Sequence, residues 1–199
     1  MAVIAEATDA PRAEGAAAAA TATAPAGYGR VAKWFHWITV ALIAVALPMG
    51  FVIKHIKDSD KMVFYAIHES AGLTLLLVAV LRLAWRRRHP PPPLPASVPP
   101  AMRAAAEGVH HALYALIILQ PILGFLMTNA FGFPMRGATA YLGLIDLPKL
   151  MEPVEWLANA LKTLHTIGGW SILLLLVVHI GAVIFHQAIR RDGTLLRMV

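Results

Sequence analysis

Apolar residues in this chain come in four long runs, separated by polar or proline-rich stretches, and the length of the runs decides their meaning. A helix rises about 1.5 Å per residue, so about 20 consecutive apolar residues are needed to cross the hydrocarbon of a bilayer. Four stretches meet that length: 34–53, 63–85, 112–135 and 166–187. The first and third carry no formal charge, and the second carries Glu69 near its start and Arg82 near its end. The pattern predicts an all-α membrane protein, a bundle of four transmembrane helices. The junction RRRHPPPPLPASVPP between the second and third runs is a hard stop, because proline lacks an amide donor and locks φ. Pro48, Pro121 and Pro134 lie inside or at the end of apolar runs and are expected to bend helices there.

Residues 1–27 read differently. They are rich in Ala with Thr, Pro and Gly, start with acids, and lack the basic start and Leu-rich core of a signal peptide. They are expected to form a disordered tail, with an Ala-rich helix as the alternative, ahead of a membrane domain over 28–199. The stretch from Glu152 to Leu164 has the spacing of an amphipathic helix lying in the membrane interface.

Composition strengthens the membrane reading. The chain is 58% apolar and 14% charged with a mean hydropathy of +0.65, against about 25% charged residues in an ordinary soluble domain. The net charge of +6 is explained by orientation rather than by nucleic acid. Arg30, Lys33, Arg82, Arg86, Arg87, Arg88, Arg103, Arg190, Arg191 and Arg197 fall on one side of the four spans. Lys54, Lys57, Lys61, Arg136, Lys149 and Lys162 fall on the other, among six acids. The positive-inside rule then puts both termini in the cytoplasm. The absence of cysteine excludes disulfides, Cys-ligated iron–sulfur clusters, thiolate zinc sites and covalently attached c-type haem.

Nine histidines remain as the chemical resource. An ionisable residue inside a span is a functional candidate. His165 and His179 are fourteen residues apart, which places them about 21 Å apart and within roughly 40° of one face of the fourth span. His36 matches the depth of His179, and His68 matches the depth of His165. The four therefore sort into a cytoplasmic-side pair, His36 with His179, and an outer pair, His68 with His165. Two pairs of neutral imidazoles from facing helices suit two six-coordinate haem irons. Gly72, Gly168 and Gly169 lie one turn beyond His68 or His165, where a missing side chain leaves room for a porphyrin face. Arg82 shares the face of His68 at the cytoplasmic edge, where it can meet a haem propionate or an anionic quinone. His110 and His111 sit where the third span enters, and His110 can hydrogen-bond a propionate or quinone. His186 is an alternative to His179 as ligand, or a group near the inner quinone region. His55 and His89 read as loop residues. The plainer readings are a helix–helix hydrogen bond for any one histidine and snorkelling for Arg82.

The ordered segments Tyr28-Gly-Arg-Val-Ala-Lys-Trp-Phe-His36-Trp, His68-Glu-Ser-Ala-Gly with Leu81-Arg82-Leu, Val109-His110-His111-Ala-Leu-Tyr114 with Gln120-Pro-Ile-Leu-Gly124, and His165-Thr-Ile-Gly-Gly through His179 and His186 to Gly193-Thr-Leu-Leu-Arg197-Met resemble the bacterial cytochrome b561 family over about 28–199. That resemblance implies two b haems, with His36, His68, His165 and His179 as the iron ligands. It further implies residence in the bacterial inner membrane and electron transfer between a periplasmic donor and ubiquinone, with superoxide as the best-described donor. A second electron-transfer reading is the cytochrome b subunit of a larger dehydrogenase or hydrogenase, fed by a docked redox protein. A reading from another class is a histidine-based metal or proton transporter. It is opposed by the near absence of carboxylates in the spans. Membrane lipid is the expected surrounding in every case, and nucleic acid is not an expected partner.

Overall fold

A computed structural model describes residues 27–94 and 98–199. The expected N-terminal tail therefore lies almost wholly outside the described residues. Four helices run alternately up and down: α1 (Arg30–Val52), α2 (Lys61–Arg88), α3 (Pro100–Ala130) and α4 (Glu155–Ile184). All four are long and apolar enough to cross a membrane, and no strand occurs among the described residues. The start of α1, the last residues of the chain and the α2–α3 junction lie at one end of the bundle, called here the terminal end. The α1–α2 and α3–α4 connections lie at the far end.

Local sequence explains where the helices begin and stop. α2 ends on Arg86, Arg87 and Arg88, cations that suit a helix C-terminus, just before the proline run. α3 opens with Pro100 in its first turn, where the missing amide costs nothing. It stops at Ala130, short of the expected 135, because Gly132 takes φ +85° and Pro134 follows. The stretch expected as a separate interfacial helix is the first turns of α4 instead. Nothing between Glu155 and His165 breaks the helix, so it runs straight into the fourth span. Pro48 and Pro121 sit within α1 and α3, which continue through both.

Packing is close within two helical hairpins, α1 with α2 and α3 with α4, and between α2 and α3. Leu75, Ala79, Leu113 and Ile117 form the central apolar cluster, and Ala130, Ala158 and Leu161 form a second one at the far end. Large apolar side chains such as Leu77, Leu174 and Val177 point outward, 57%, 64% and 62% exposed. In a spanning helix these are lipid contacts, because lipid tails are as apolar as the core. Leu175 and Leu176 of α4 pack on the central cluster, and α4 meets α1 through ring contacts that include Phe51 with Trp170 at 4.9 Å.

At the terminal end the chain's last residues close onto its first helix. The Tyr28 amide donates to the Arg197 carbonyl at 2.9 Å, and Trp37 Nε1 donates to the Met198 carbonyl at 3.1 Å. Lys33 Nζ donates to the Val199 carbonyl. The buried Arg197 guanidinium donates to the carbonyls of Pro92 and Pro93 at 2.6 and 3.0 Å. This clamp depends on how α4 ends. A π-helical turn, Phe185–Arg190, is followed by Arg191 at φ +51°.

Candidate functional site

The ring spacing inside the bundle is the central observation. His68 and His165 lie edge to face with centroids 6.0 Å apart, and His36 and His179 likewise at 6.4 Å. These distances fit one metal atom held between two imidazoles. Two bonds of about 2 Å each, plus the half-width of each ring, sum to about 6 Å. His110 also approaches His179, with centroids 5.2 Å apart.

The far pair is held by a repeated device. His68 Nδ1 lies 2.7 Å from the Ala46 carbonyl of α1, and His165 Nδ1 lies 3.1 Å from the Gln120 carbonyl of α3. A carbonyl only accepts, so each Nδ1 carries the proton. Each Nε2 is left as a bare lone pair, the state a metal ligand needs. In both cases a glycine stands one turn beyond the accepting carbonyl. A Cβ on Gly50 would come within 2.8 Å of His68 Cε1, and one on Gly124 within 3.1 Å of His165 Cε1. Gln120 adds a second tie, its Nε2 donating to the His165 carbonyl at 2.8 Å. Its Oε1 is buried without a partner.

Sequence reasoning pointed to other glycines. Gly72 does face open space, as room for a planar group requires, but Gly168 accommodates Gln120, whose Oε1 would lie 2.6 Å from an added Cβ. Gly50 was not singled out, and Gly124 only within a motif. Which carbonyl a histidine meets depends on the neighbouring helix, and sequence spacing within one helix carries no signal of it.

At the terminal end, Arg82 reaches the predicted cluster from α2. Its Nη2 donates to His36 Nδ1 at 3.2 Å, and its guanidinium lies over the Tyr114 ring at 5.2 Å. Arginine only donates, so His36 accepts at Nδ1 and carries its proton on Nε2. His36 is thus in the opposite tautomer to His68 and His165. His111, His55 and His89 are exposed, and His89 stacks on Trp85 at 3.8 Å.

His186 belongs to the clamp. Its Nδ1 lies 2.5 Å from Asp192 Oδ2, which also accepts from Arg190 Nε at 3.2 Å. Asp192 Oδ1 accepts from the Thr194 amide and hydroxyl at 3.1 and 2.6 Å. Burial alone would raise the Asp192 carboxyl, but the hydrogen bonds from Thr194, His186 and Arg190 outweigh it and hold the group below the usual carboxylate range. A depressed carboxylate contributes stability above its unfolded pKa of about 3.9 and loses it as pH falls toward the folded value. Docking of the C-terminal segment is therefore expected to be intact at neutral pH and to weaken below about pH 4. Asp192→Asn should speed hydrogen exchange of the Tyr28 amide at pH 7 by at least about tenfold, because an amide nitrogen in place of Oδ2 accepts from neither His186 nor Arg190. An unchanged exchange rate would remove Asp192 from the clamp.

The residues present fit a haem. The far pair offers two imidazoles, each with Nδ1 engaged and Nε2 free of a backbone partner, and ring centroids 6.0 Å apart. Gly72 leaves space beside His68, and α4 is not packed backbone to backbone against α1 or α2 among the described residues. Comparison with known proteins adds the following. The family model for prokaryotic cytochrome b561 matches residues 27–199. Cytochrome b561 homolog 2 of Escherichia coli strain K12 is 32% identical over 178 residues, covering 88% of this chain and 92% of that protein. A probable superoxide oxidase CybB of Yersinia pestis is 27% identical over 168 residues, covering 82% and 90%. Cytochrome b562 of Cereibacter sphaeroides is 26% identical over 179 residues, covering 87% and 95%.

Proposed function

Since the chain belongs to the prokaryotic cytochrome b561 family, and so is a bacterial membrane protein of transmembrane electron transfer with b-type haem, we propose that it uses two haems, held by His68 with His165 and by His36 with His179. The single observation that carries this reading is the pair of ring separations, 6.0 and 6.4 Å, at two depths of the same bundle. When bound, haem supplies a reversible one-electron couple.

The chain's own residues do the rest. Ala46 and Gln120 fix the tautomer of the far ligands and aim each Nε2 inward. Two imidazoles would hold each haem, which suits it to passing electrons rather than to binding O₂. The apolar helices exclude water, which limits reorganisation around a change of charge. At the terminal end Arg82 has to release His36 Nδ1 so that the proton returns there and Nε2 becomes a ligand. A propionate carboxylate offers Arg82 a stronger partner than a neutral imidazole. His179, fourteen residues along α4 from His165, and His36 beside it provide the second station at about 21 Å.

The proposed orientation follows from charge. With both termini cytoplasmic under the positive-inside rule, the far end faces the periplasm and receives electrons. Ubiquinone is the acceptor, served at the terminal end by Arg82 and His110. Superoxide is the proposed donor, a reading supported by the name of the Yersinia relative. The test is the visible spectrum of purified protein, oxidised and reduced, with haem quantitation and a redox titration. Two low-spin b haems per chain with separate midpoint potentials are expected. Absence of haem after haem-supplemented expression would overturn the reading and turn attention to metal or proton transport.

A further inference from the structure

The connection between α3 and α4 contains a short hairpin whose tip, Tyr141-Leu142-Gly143-Leu144-Ile145, has no charge and no polar side chain except the tyrosine hydroxyl. Leu142, Leu144 and Ile145 are 58%, 84% and 54% exposed. On a loop in water this would be an unusual concentration of bare apolar surface. We propose that this hairpin is inserted in the hydrocarbon of the far leaflet, where its tip contacts lipid chains rather than water or another protein.

Depth comes first. The hairpin hangs along α2: the Leu142 amide donates to Ser70 Oγ at 3.0 Å, and the Tyr141 hydroxyl lies 3.0 Å from Thr74 Oγ1. Ser70 is sixteen residues and Thr74 twelve residues from Arg86, the first of the arginine cluster that ends α2. At about 1.5 Å per residue these are at most about 24 and 18 Å from the charged edge. Tilt only shortens those distances. The hydrocarbon core is about 30 Å thick, so both anchors lie within it. The same depth follows from α1, because Ser70 is two residues further inward than His68, which is level with Ala46 well inside that helix.

Non-helical backbone in hydrocarbon is tolerated where its polar groups find partners, and here the amides of the tip do. Tyr141 N–H donates to the Ile145 carbonyl at 2.8 Å, and Gly143 N–H to the Ala140 carbonyl at 2.8 Å. Leu144 N–H and Ile145 N–H both donate to the Tyr141 carbonyl at 3.0 Å. With the Leu142 amide on Ser70, every amide of the tip has a partner. Leu142 at φ +56° and Gly143 at φ +70° make the tight turn that allows it. Polar pairs are kept at the neck, where Arg136 Nε donates to the Leu147 carbonyl and the Gly137 amide to Asp146 Oδ1, both at 2.9 Å. A charged neck above an uncharged tip matches an interface above a hydrocarbon layer. The tip also leaves a cleft of about 480 Å³ against α1 and α2, lined by Leu42, Ala66, Ile67 and Ala71 and by Ser70 and Thr74, whose hydroxyls the tip engages. Such a lining favours a lipid chain over water.

The natural absence of cysteine makes the test direct. Leu144→Cys in the full haem-loaded protein is labelled with a nitroxide and reconstituted in phosphatidylcholine–phosphatidylglycerol vesicles. Collisions with dissolved oxygen and with a water-soluble nickel chelate are then compared by power saturation. Leu77→Cys serves as the lipid-facing reference and Lys149→Cys as the aqueous one. The expected result is an oxygen-to-nickel accessibility ratio within about twofold of the Leu77 label and at least about fivefold above the Lys149 label. A ratio like that of the Lys149 label would overturn the proposal in favour of water. Protection from both reagents would overturn it in favour of a protein partner. If Leu144→Cys does not accumulate, Leu142→Cys reads the same tip.

Discussion

His165→Ala should leave the protein with one haem per chain and no electron transfer across the membrane. His165 is one of two rings 6.0 Å apart at the far site, and no third histidine approaches that pair among the ring contacts of the described residues. Removing one imidazole leaves His68 alone with its Nε2 unpaired in an apolar interior. Haem quantitation should fall from two per chain to one, and reduction of an acceptor on the opposite side of sealed vesicles should fall to background. The terminal site, about 21 Å away along α4, should keep its spectrum. His111→Ala, at an exposed residue, is the matched control and should change neither. Two haems retained in His165→Ala would sink the assignment of the far ligands.

A methyl group added one turn from the ring should do nearly the same damage. In Gly50→Ala the new Cβ would come 2.8 Å from His68 Cε1, closer than real contacts allow, so the ring has to leave the Ala46 carbonyl or α1 has to move away from α2. Overpacking of this kind costs about 1–3 kcal/mol. A ring forced off its hydrogen bond loses both its tautomer and its aim, so the low-spin spectrum of the far site should be lost in most of the protein. Gly124→Ala, at 3.1 Å from His165 Cε1, should be milder, with binding weakened by about tenfold or less, the scale of losing an outer-shell partner. That order, Gly50 above Gly124, is the measurable content. Equal behaviour of the two would refute the latch.

What the sequence made legible, and what it hid, follows one physical line. The existence of four spans was readable because run length against bilayer thickness is a one-dimensional comparison. The pairing of His36 with His179 and His68 with His165 by depth was readable because helix rise is constant. The end of α3 was misplaced because hydropathy continues past Ala130 through Phe131 and Phe133, whereas the backbone turns at Gly132. The first turns of α4 looked like a separate interfacial helix because amphipathic spacing reports which face is polar and does not report continuity. Contacts between helices were the least visible. The carbonyls of Ala46 and Gln120 are ordinary backbone groups, and only the packed bundle shows that they orient histidines. Arg82 was placed at the right edge by periodicity, but its hydrogen bond to His36 depends on how α1 and α2 are rotated against each other. The role of Gly193 through Met198 as a clamp on the start of α1 has no local signature at all.

The two carbonyl latches have a consequence for how the protein is built. Each lies wholly within one helical hairpin, His68 on α2 with Ala46 on α1, and His165 on α4 with Gln120 on α3. A hairpin that has just entered the bilayer can therefore set its own histidine before it meets the other half. Both histidine pairs, in contrast, bridge the two halves. The proposed haem sites are then seams between the two hairpins, and a haem held at each would tie the halves together beyond the α2–α3 packing.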